Sequence, residues 1–142
     1  CTSMEYAKQL LQGKYPAAPK FSVMISHVKD VAKAHVLSLK NKKAGGRRLI
    51  VGSEVRSILE LSQIMAKNIP SHAKKLPKRE LPNFMVKLIS YIDSSAKTMV
   101  PDLGLKMQID QTYAEDILQM KFTASEIAVV DAAKSVIRLN LA

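Results

Sequence analysis

Residues 25–35 read ISHVKDVAKAH and contain the passage from a strand to a helix that decides the fold class. The β-rich run 21–28 favours an extended strand. Asp30 is a good N-cap residue, which predicts a helix over residues 31–39. A strand that leads directly into a helix is typical of α/β proteins.

Three more helix starts are predicted from capping boxes, in which Ser or Thr precedes Glu by three residues, at 57–60, 112–115 and 123–126. The first predicted helix carries apolar residues at helical spacing: Ile58, Leu61, Ile64, Met65 and Ile69. The last one predicts a buried stripe of Ile127, Val130, Ala133, Ile137 and Leu141.

The remaining elements have weaker sequence signals. Pro82 suits the first turn of a helix, whose apolar face would be Leu81, Phe84, Met85, Leu88, Ile89 and Ile92. Residues 48–51 predict a buried strand after Gly45 and Gly46, and residues 107–109 predict a brief strand. The expected fold is therefore α/β, with short strands alternating with about five helices in one unit, residues 1–142.

Composition limits the classes of protein to consider. The chain has 142 residues, 47% of them apolar, which is enough for one domain with a core. No apolar run approaches the roughly 18 residues of a membrane span, so we expect no membrane partner. Cys1 is the single cysteine and cannot form an internal disulfide. The expected location is the cytoplasm.

The net charge of +10 has two interpretations. Basic residues cluster at 40–48 and at 74–79, which could bind phosphate, nucleic acid or an anionic membrane. Alternatively, both clusters are solvated loops of a lysine-rich protein. Aromatic residues make up 5% of the chain and tryptophan is absent, so few side chains could stack on bases. We favour the solvated loops and expect no nucleic-acid partner.

Several stretches, taken in order, suggest a family. Residues 25–35 resemble the "hVxDVAxAH" element of extended short-chain dehydrogenases/reductases, in the dihydroflavonol-4-reductase-like branch of the NAD-dependent epimerase/dehydratase superfamily. Residues 46–53, 57–65, 76–83, 112–118 and 125–137 resemble later elements of that family in the same order. The glycine that usually follows the helix at 112–118 is replaced around Gln119, so that helix must end differently.

Two family motifs are absent from the chain. None of its five glycines forms the glycine-rich turn that binds a dinucleotide. The four tyrosines have Leu10, Pro19, Ser95 and Ile117 four residues later, so none belongs to the Tyr-x-x-x-Lys pair. The resemblance therefore implies the C-terminal, substrate-binding lobe of a longer NAD(P)-dependent reductase. The Rossmann core, an N-terminal dinucleotide-binding domain, would be missing. We expect no catalytic residue and no cofactor in this chain alone.

The resemblance also implies which residues lie near the substrate of the complete enzyme, a small carbonyl compound. The candidates for the pocket are Thr2, Ser3, Met4, Tyr6, Met24 and His27. An equally acceptable interpretation makes Met4, Tyr6 and Leu10 ordinary core or lobe-interface residues. If the interface of the lobe is uncovered, the chain is expected to self-associate.

Asp30 and His35 belong to the family motif, and we interpret both as structural. Asp30 is explained by capping, and His35 is expected to be packed and hydrogen-bonded on the inner helix face. His27 and His35 could both reach a metal, but no carboxylate accompanies them, so no metal site is expected. The function that the resemblance implies is carbonyl reduction by the parent protein. The rival is a non-enzymatic basic interaction module derived from the same lobe.

Overall fold

The computed structural model describes residues 2–92, 96–97, 100–105 and 107–142, with the backbone alone for Thr2 and Ser3. Cys1 and the predictions about it lie outside these residues. The described part contains six α-helices: α1 (Thr2–Leu11), α2 (Val28–Lys40), α3 (Ile58–Asn68), α4 (Asn83–Ile89), α5 (Thr112–Leu118) and α6 (Ser125–Arg138). Its strands are β1 (Ala18–Pro19), β2 (Ser22–Ile25), β3 (Glu54–Ser57) and β4 (Glu80–Leu81).

The strands form two small sheets. β1 pairs with β4 in parallel, and β2 pairs with β3 antiparallel, with Ser22 opposite Ser57 and Ile25 opposite Glu54. The predicted α/β class and the strand before α2 are both confirmed. Within the described residues neither sheet has a third strand.

The two other predicted strands are wrong. Residues 48–51 and 107–109 adopt no regular structure. Leu49 and Val51 pack beside a small apolar cluster, but Ile50 is 39% exposed. Within the described residues no strand forms a ladder of hydrogen bonds with residues 48–51, so their strand propensity is not realised.

The main core lies where α1, α3 and α6 meet. Leu10, Leu11 and Met65 are almost fully buried there, together with Ala133 and Val136. Helix α3 follows its prediction closely, because the Ser57 side chain accepts from the backbone of Glu60 while the Glu60 carboxylate accepts from the backbone of Ser57. This complete capping box fixes the start of α3 and the side that it turns to the core.

A second apolar cluster joins α2 to the end of α5. Ala34, Leu118 and Met120 are buried there. Helix α5 ends at Gln119, which takes the left-handed conformation (φ 49°, ψ 45°) that glycine usually supplies. The predicted departure from the family's glycine is thus accommodated by a strained but permitted backbone at one glutamine.

The other two capping boxes are wrong, although their helices exist. Gln111 occupies the N-cap position of α5 without a side-chain hydrogen bond, and Ala124 does the same for α6. The Thr123 hydroxyl, expected to cap α6, is instead bonded to Asp30. A tertiary partner has therefore replaced the local one.

The buried stripe of α6 differs from the predicted one. The buried residues are Ser125, Ala128, Val129, Ala133 and Val136. Of the predicted set, Ala133 is buried, and Val130 and Ile137 are half-buried. Ile127 is 53% exposed, and Leu141 lies beyond the end of α6 and is 44% exposed. Both stripes have helical spacing, but the observed one brings small side chains to the contact with α1 and α3, which lets the helices approach closely.

The apolar face predicted for α4 points largely to solvent. Phe84 is 70% exposed and Leu88 67%, whereas Val86 is the residue that α4 buries. No helix in the described residues is long and apolar enough to cross a membrane.

Candidate functional site

A cavity of about 350 Å³ lies between α1, β2, α3 and α6. Its wall combines apolar side chains with two hydroxyl-bearing residues, and is formed by Tyr6, Ala7, Leu10, Val23, Met24, Ile25, Ser26, Leu61, Met65, Ala128, Val129 and Ala132. Ligand pockets are usually apolar hollows of about 300–1,000 Å³ with a few polar groups, so this cavity suits a small, mainly apolar molecule.

The cavity brings together some of the candidates for the substrate pocket and leaves others aside. Tyr6 from α1 and Met24 from β2 both line it. Met4 is half-buried and packs against the main core instead. Thr2 and Ser3 lie in the first turn of α1, and their side chains are outside what the structure describes.

His27 is a structural residue beside the cavity rather than part of its wall. It is buried, and its Nδ1 accepts a hydrogen bond from the backbone N–H of Lys29 at 3.1 Å, which caps α2. Because Nδ1 accepts, Nε2 carries the proton and donates to Asp131 Oδ2 at 3.2 Å. With both nitrogens engaged, His27 has no nitrogen free to act as a base or to ligate a metal.

Asp30 was predicted to cap α2, and that prediction is wrong because the helix begins three residues earlier than expected, at Val28, with His27 as its N-cap. The buried Asp30 carboxylate accepts from the Thr123 backbone N–H at 2.6 Å and from the Thr123 hydroxyl at 3.1 Å. Asp30 therefore joins the start of α2 to the segment that enters α6. Asp30 is thus structural, as expected, but it connects two elements instead of capping a helix.

His35 was expected on the inner face of α2 and is instead exposed. Its Nδ1 lies 2.7 Å from the carbonyl oxygen of Val31, and because a carbonyl only accepts, Nδ1 is the donor. The predicted hydrogen bond is present, but the predicted packing is not. Among the described residues, no three His, Cys, Asp or Glu side chains gather closely enough to hold a metal ion.

A charged network joins β3 to the first turns of α3 and α6. Arg56 donates to Ser125 Oγ at 3.0 Å and to Glu60 at 3.2 Å, and it also bonds Glu54. The Ser125 hydroxyl donates to Glu54 at 2.7 Å and, ahead of the Arg56 charge, holds the pKa of Glu54 below its ordinary value. The backbone N–H of Ser57 does the same for the pKa of Glu60.

Sequence reasoning missed the part of the cavity wall contributed by α3 and α6. Leu61 and Met65 were predicted as core, and Ala128, Val129 and Ala132 lay off the predicted stripe of α6. The α6 part of the wall could have been predicted from the alanines at 128, 132 and 133, since alanines at helical spacing indicate a close contact between helices.

Comparisons of sequence and of fold give different results. No family model matches the sequence, and no curated protein matches it. The structure, however, resembles Gre2 from Candida albicans with a TM-score of 0.70 at 23% identity, covering 97% of this chain and 37% of that one. It also resembles yeast methylglyoxal/isovaleraldehyde reductase Gre2, in a complex with NADPH, with a TM-score of 0.70 at 18% identity, covering 98% and 36%.

The chain has the fold of one part of these reductases. A third structure, gox2253, supports the same conclusion with a TM-score of 0.75 at 18% identity, over 99% of this chain and 45% of that one. The chain thus spans between about a third and a half of the length of the structures that it resembles. At these identities the similarity establishes the fold, and activity has to be argued from the residues.

Proposed function

We propose that this chain is the substrate-side lobe of an NAD(P)-dependent carbonyl reductase of the extended short-chain dehydrogenase/reductase family, in its dihydroflavonol-4-reductase-like branch. The lobe comprises residues 1–142, and an N-terminal dinucleotide-binding domain supplies the cofactor and the catalytic residues. The cavity carries the proposal, because its lining is mainly apolar and its volume suits a small organic group. The parent protein is expected in the cytoplasm.

The lobe alone binds and does not react. It contains neither a glycine-rich turn nor a Tyr-x-x-x-Lys pair, so hydride transfer by the family mechanism requires the other domain. We therefore expect the purified chain not to oxidise NADPH or NADH in the presence of aldehydes or ketones. Turnover that co-purifies with the chain through successive columns would contradict this part of the proposal.

Binding to the cavity can be tested directly on the chain. In two-dimensional amide NMR titrations, small apolar ketones should shift the signals of residues that line the cavity. Ala132→Leu fills part of the cavity and should abolish those shifts. Ala32→Leu makes the same change at an exposed position of α2 and is the matched control. Shifts that persist in Ala132→Leu, or that map to the basic loops, would refute the proposed pocket.

The rival function, a basic interaction module, is supported by one contact. The turn at Gly13 packs against Lys75, so a Cβ atom added to Gly13 would stand 3.2 Å from the Lys75 Cβ. This contact places Lys14 next to the run Lys74–Lys75 on the surface. If the chain is a basic interaction module, it should bind RNA or heparin with an affinity that falls steeply as the salt concentration rises, and it should not bind ketones.

A further inference from the structure

The side chains of the cavity offer few groups for hydrogen bonding. Of the twelve residues in its wall, Tyr6 and Ser26 carry hydroxyls, and the others contribute apolar or thioether side chains. The Ser26 hydroxyl already donates to the carbonyl oxygen of Val51. The Tyr6 hydroxyl, in contrast, has no hydrogen-bond partner in the described part of the chain, although its residue is half-buried.

A hydroxyl in such a wall acts as a selective element. A half-buried donor that has lost part of its water gains a hydrogen bond when a ligand brings an acceptor, and it gains nothing from a hydrocarbon. Sites that hold an otherwise unused polar group therefore discriminate against analogues that lack its partner. Elsewhere in this wall, side chains distinguish ligands by size and shape alone.

We propose that the Tyr6 hydroxyl donates a hydrogen bond to an oxygen on the part of the ligand that the cavity holds. The ligand class is then a small apolar compound with a hydrogen-bond-accepting oxygen, and Tyr6 determines specificity. This inference rests on the proposed function. In the complete reductase the reacting carbonyl would be served by the other domain, so the oxygen that Tyr6 recognises is a second one on the organic group.

Two probes of nearly the same shape isolate this hydrogen bond. Acetophenone and α-methylstyrene differ by an oxygen in place of a methylene group. Tyr6→Phe removes the hydroxyl and keeps the ring, and Tyr113→Phe makes the same change at an exposed position of α5 outside the cavity. Dissociation constants of both probes are measured by NMR titration for the wild-type chain and the two variants, with thermal melts to verify folding.

We expect Tyr6→Phe to weaken acetophenone binding about 3- to 10-fold while α-methylstyrene binding changes less than about twofold. Tyr113→Phe should change neither. If Tyr6→Phe alters both affinities by the same factor or alters neither, Tyr6 does not recognise the oxygen, although the proposed pocket stands. If the wild-type chain binds neither probe, the proposed pocket and this inference are both wrong.

Discussion

The rotational register of α6 can be tested by replacing valine with alanine at two positions of the helix, 136 and 130. Val136 is 1% exposed and lies in the main core, whereas Val130 is half-buried on the same helix. The hydrophobic pattern of the sequence placed Val130 in the buried stripe and left Val136 out of it. Val136→Ala and Val130→Ala remove the same atoms from the same helix, so any difference between them reports burial.

The expected losses in the free energy of unfolding follow from how many buried atoms each substitution removes. Changing valine to alanine removes two carbons, and at about 0.8 kcal/mol for each buried one the transfer term is about 1.6 kcal/mol. At Val136 the cavity left behind should bring the total to about 2–3 kcal/mol, because the surrounding helices relax only in part. At Val130 water already reaches part of the side chain, so the cost should be about 1 kcal/mol or less.

Urea unfolding followed by far-UV circular dichroism measures both costs. The slope of the unfolding free energy against urea concentration should stay unchanged in both variants, since neither substitution changes the surface exposed on unfolding by much. If Val130→Ala costs as much as Val136→Ala or more, the buried stripe of α6 is misassigned. The cavity wall that α6 contributes would then be wrong as well.

Three further predictions test the polar contacts and the exposed surface. Asp30→Asn should lower the free energy of unfolding by about 1.5–3 kcal/mol, because Thr123 loses a charged acceptor, and a neutral effect in urea melts would contradict that role. The pKa values of Glu54 and Glu60 are lowered by folding, so these groups stabilise the chain above their ordinary pKa of 4.5 and cease to do so as the pH falls through the folded values. Melts from pH 6 to pH 3 should therefore show a loss of stability, and this loss should be smaller in the double variant Glu54→Gln, Glu60→Gln. If the wild-type chain and the double variant lose the same stability over this pH range, the two carboxylates are not its source. The chain should self-associate through α4 in sedimentation velocity and Phe84→Ser should reduce this, whereas a wild-type monomer at high concentration would count against the idea.

Local patterns in the sequence predicted the elements better than their contacts. The capping box at Ser57 and Glu60 was correct, because the Ser57 backbone N–H is bonded to the Glu60 carboxylate itself and not to a partner from another element. At Thr123 the same pattern failed because the Asp30 carboxylate, 93 positions away in sequence, accepts the backbone N–H that Glu126 would accept in a capping box, and Ala124 occupies the N-cap position instead. A motif-based prediction cannot weigh a partner of that kind.

Two other failures share a cause. The strand predicted at residues 48–51 pairs with no other strand in the described chain, and most of the apolar face described for α4 is exposed. Apolar patterns predict burial without naming the element that provides it. The proposed position of this chain within a longer reductase would supply such elements, and the prediction of self-association tests whether the α4 face behaves as an uncovered interface.

The candidate site was only partly accessible to sequence reasoning. Tyr6 and Met24 were named through the family resemblance, and the structure places both in one cavity. His27 was also named, but both of its ring nitrogens are occupied by contacts to Lys29 and Asp131. Residue type alone does not reveal whether a histidine is free, since that depends on neighbours from other elements.

Polar contacts explain why α6 adopts one of two stripes that hydrophobicity alone leaves open. Thr123 is bonded to Asp30 just before the helix, Ser125 joins the network of Glu54 and Arg56 at its first turn, and Asp131 meets His27 two turns later. A rotation of α6 that buried Ile127 in place of Val129 would move Ser125 and Asp131 away from these partners. It would also leave the Ser125 hydroxyl and the His27 Nε2 without these partners, which is costly because both residues are buried. Because Val129 and Ala132 face the cavity only in the observed register, these contacts shape the pocket as well as stabilising the fold.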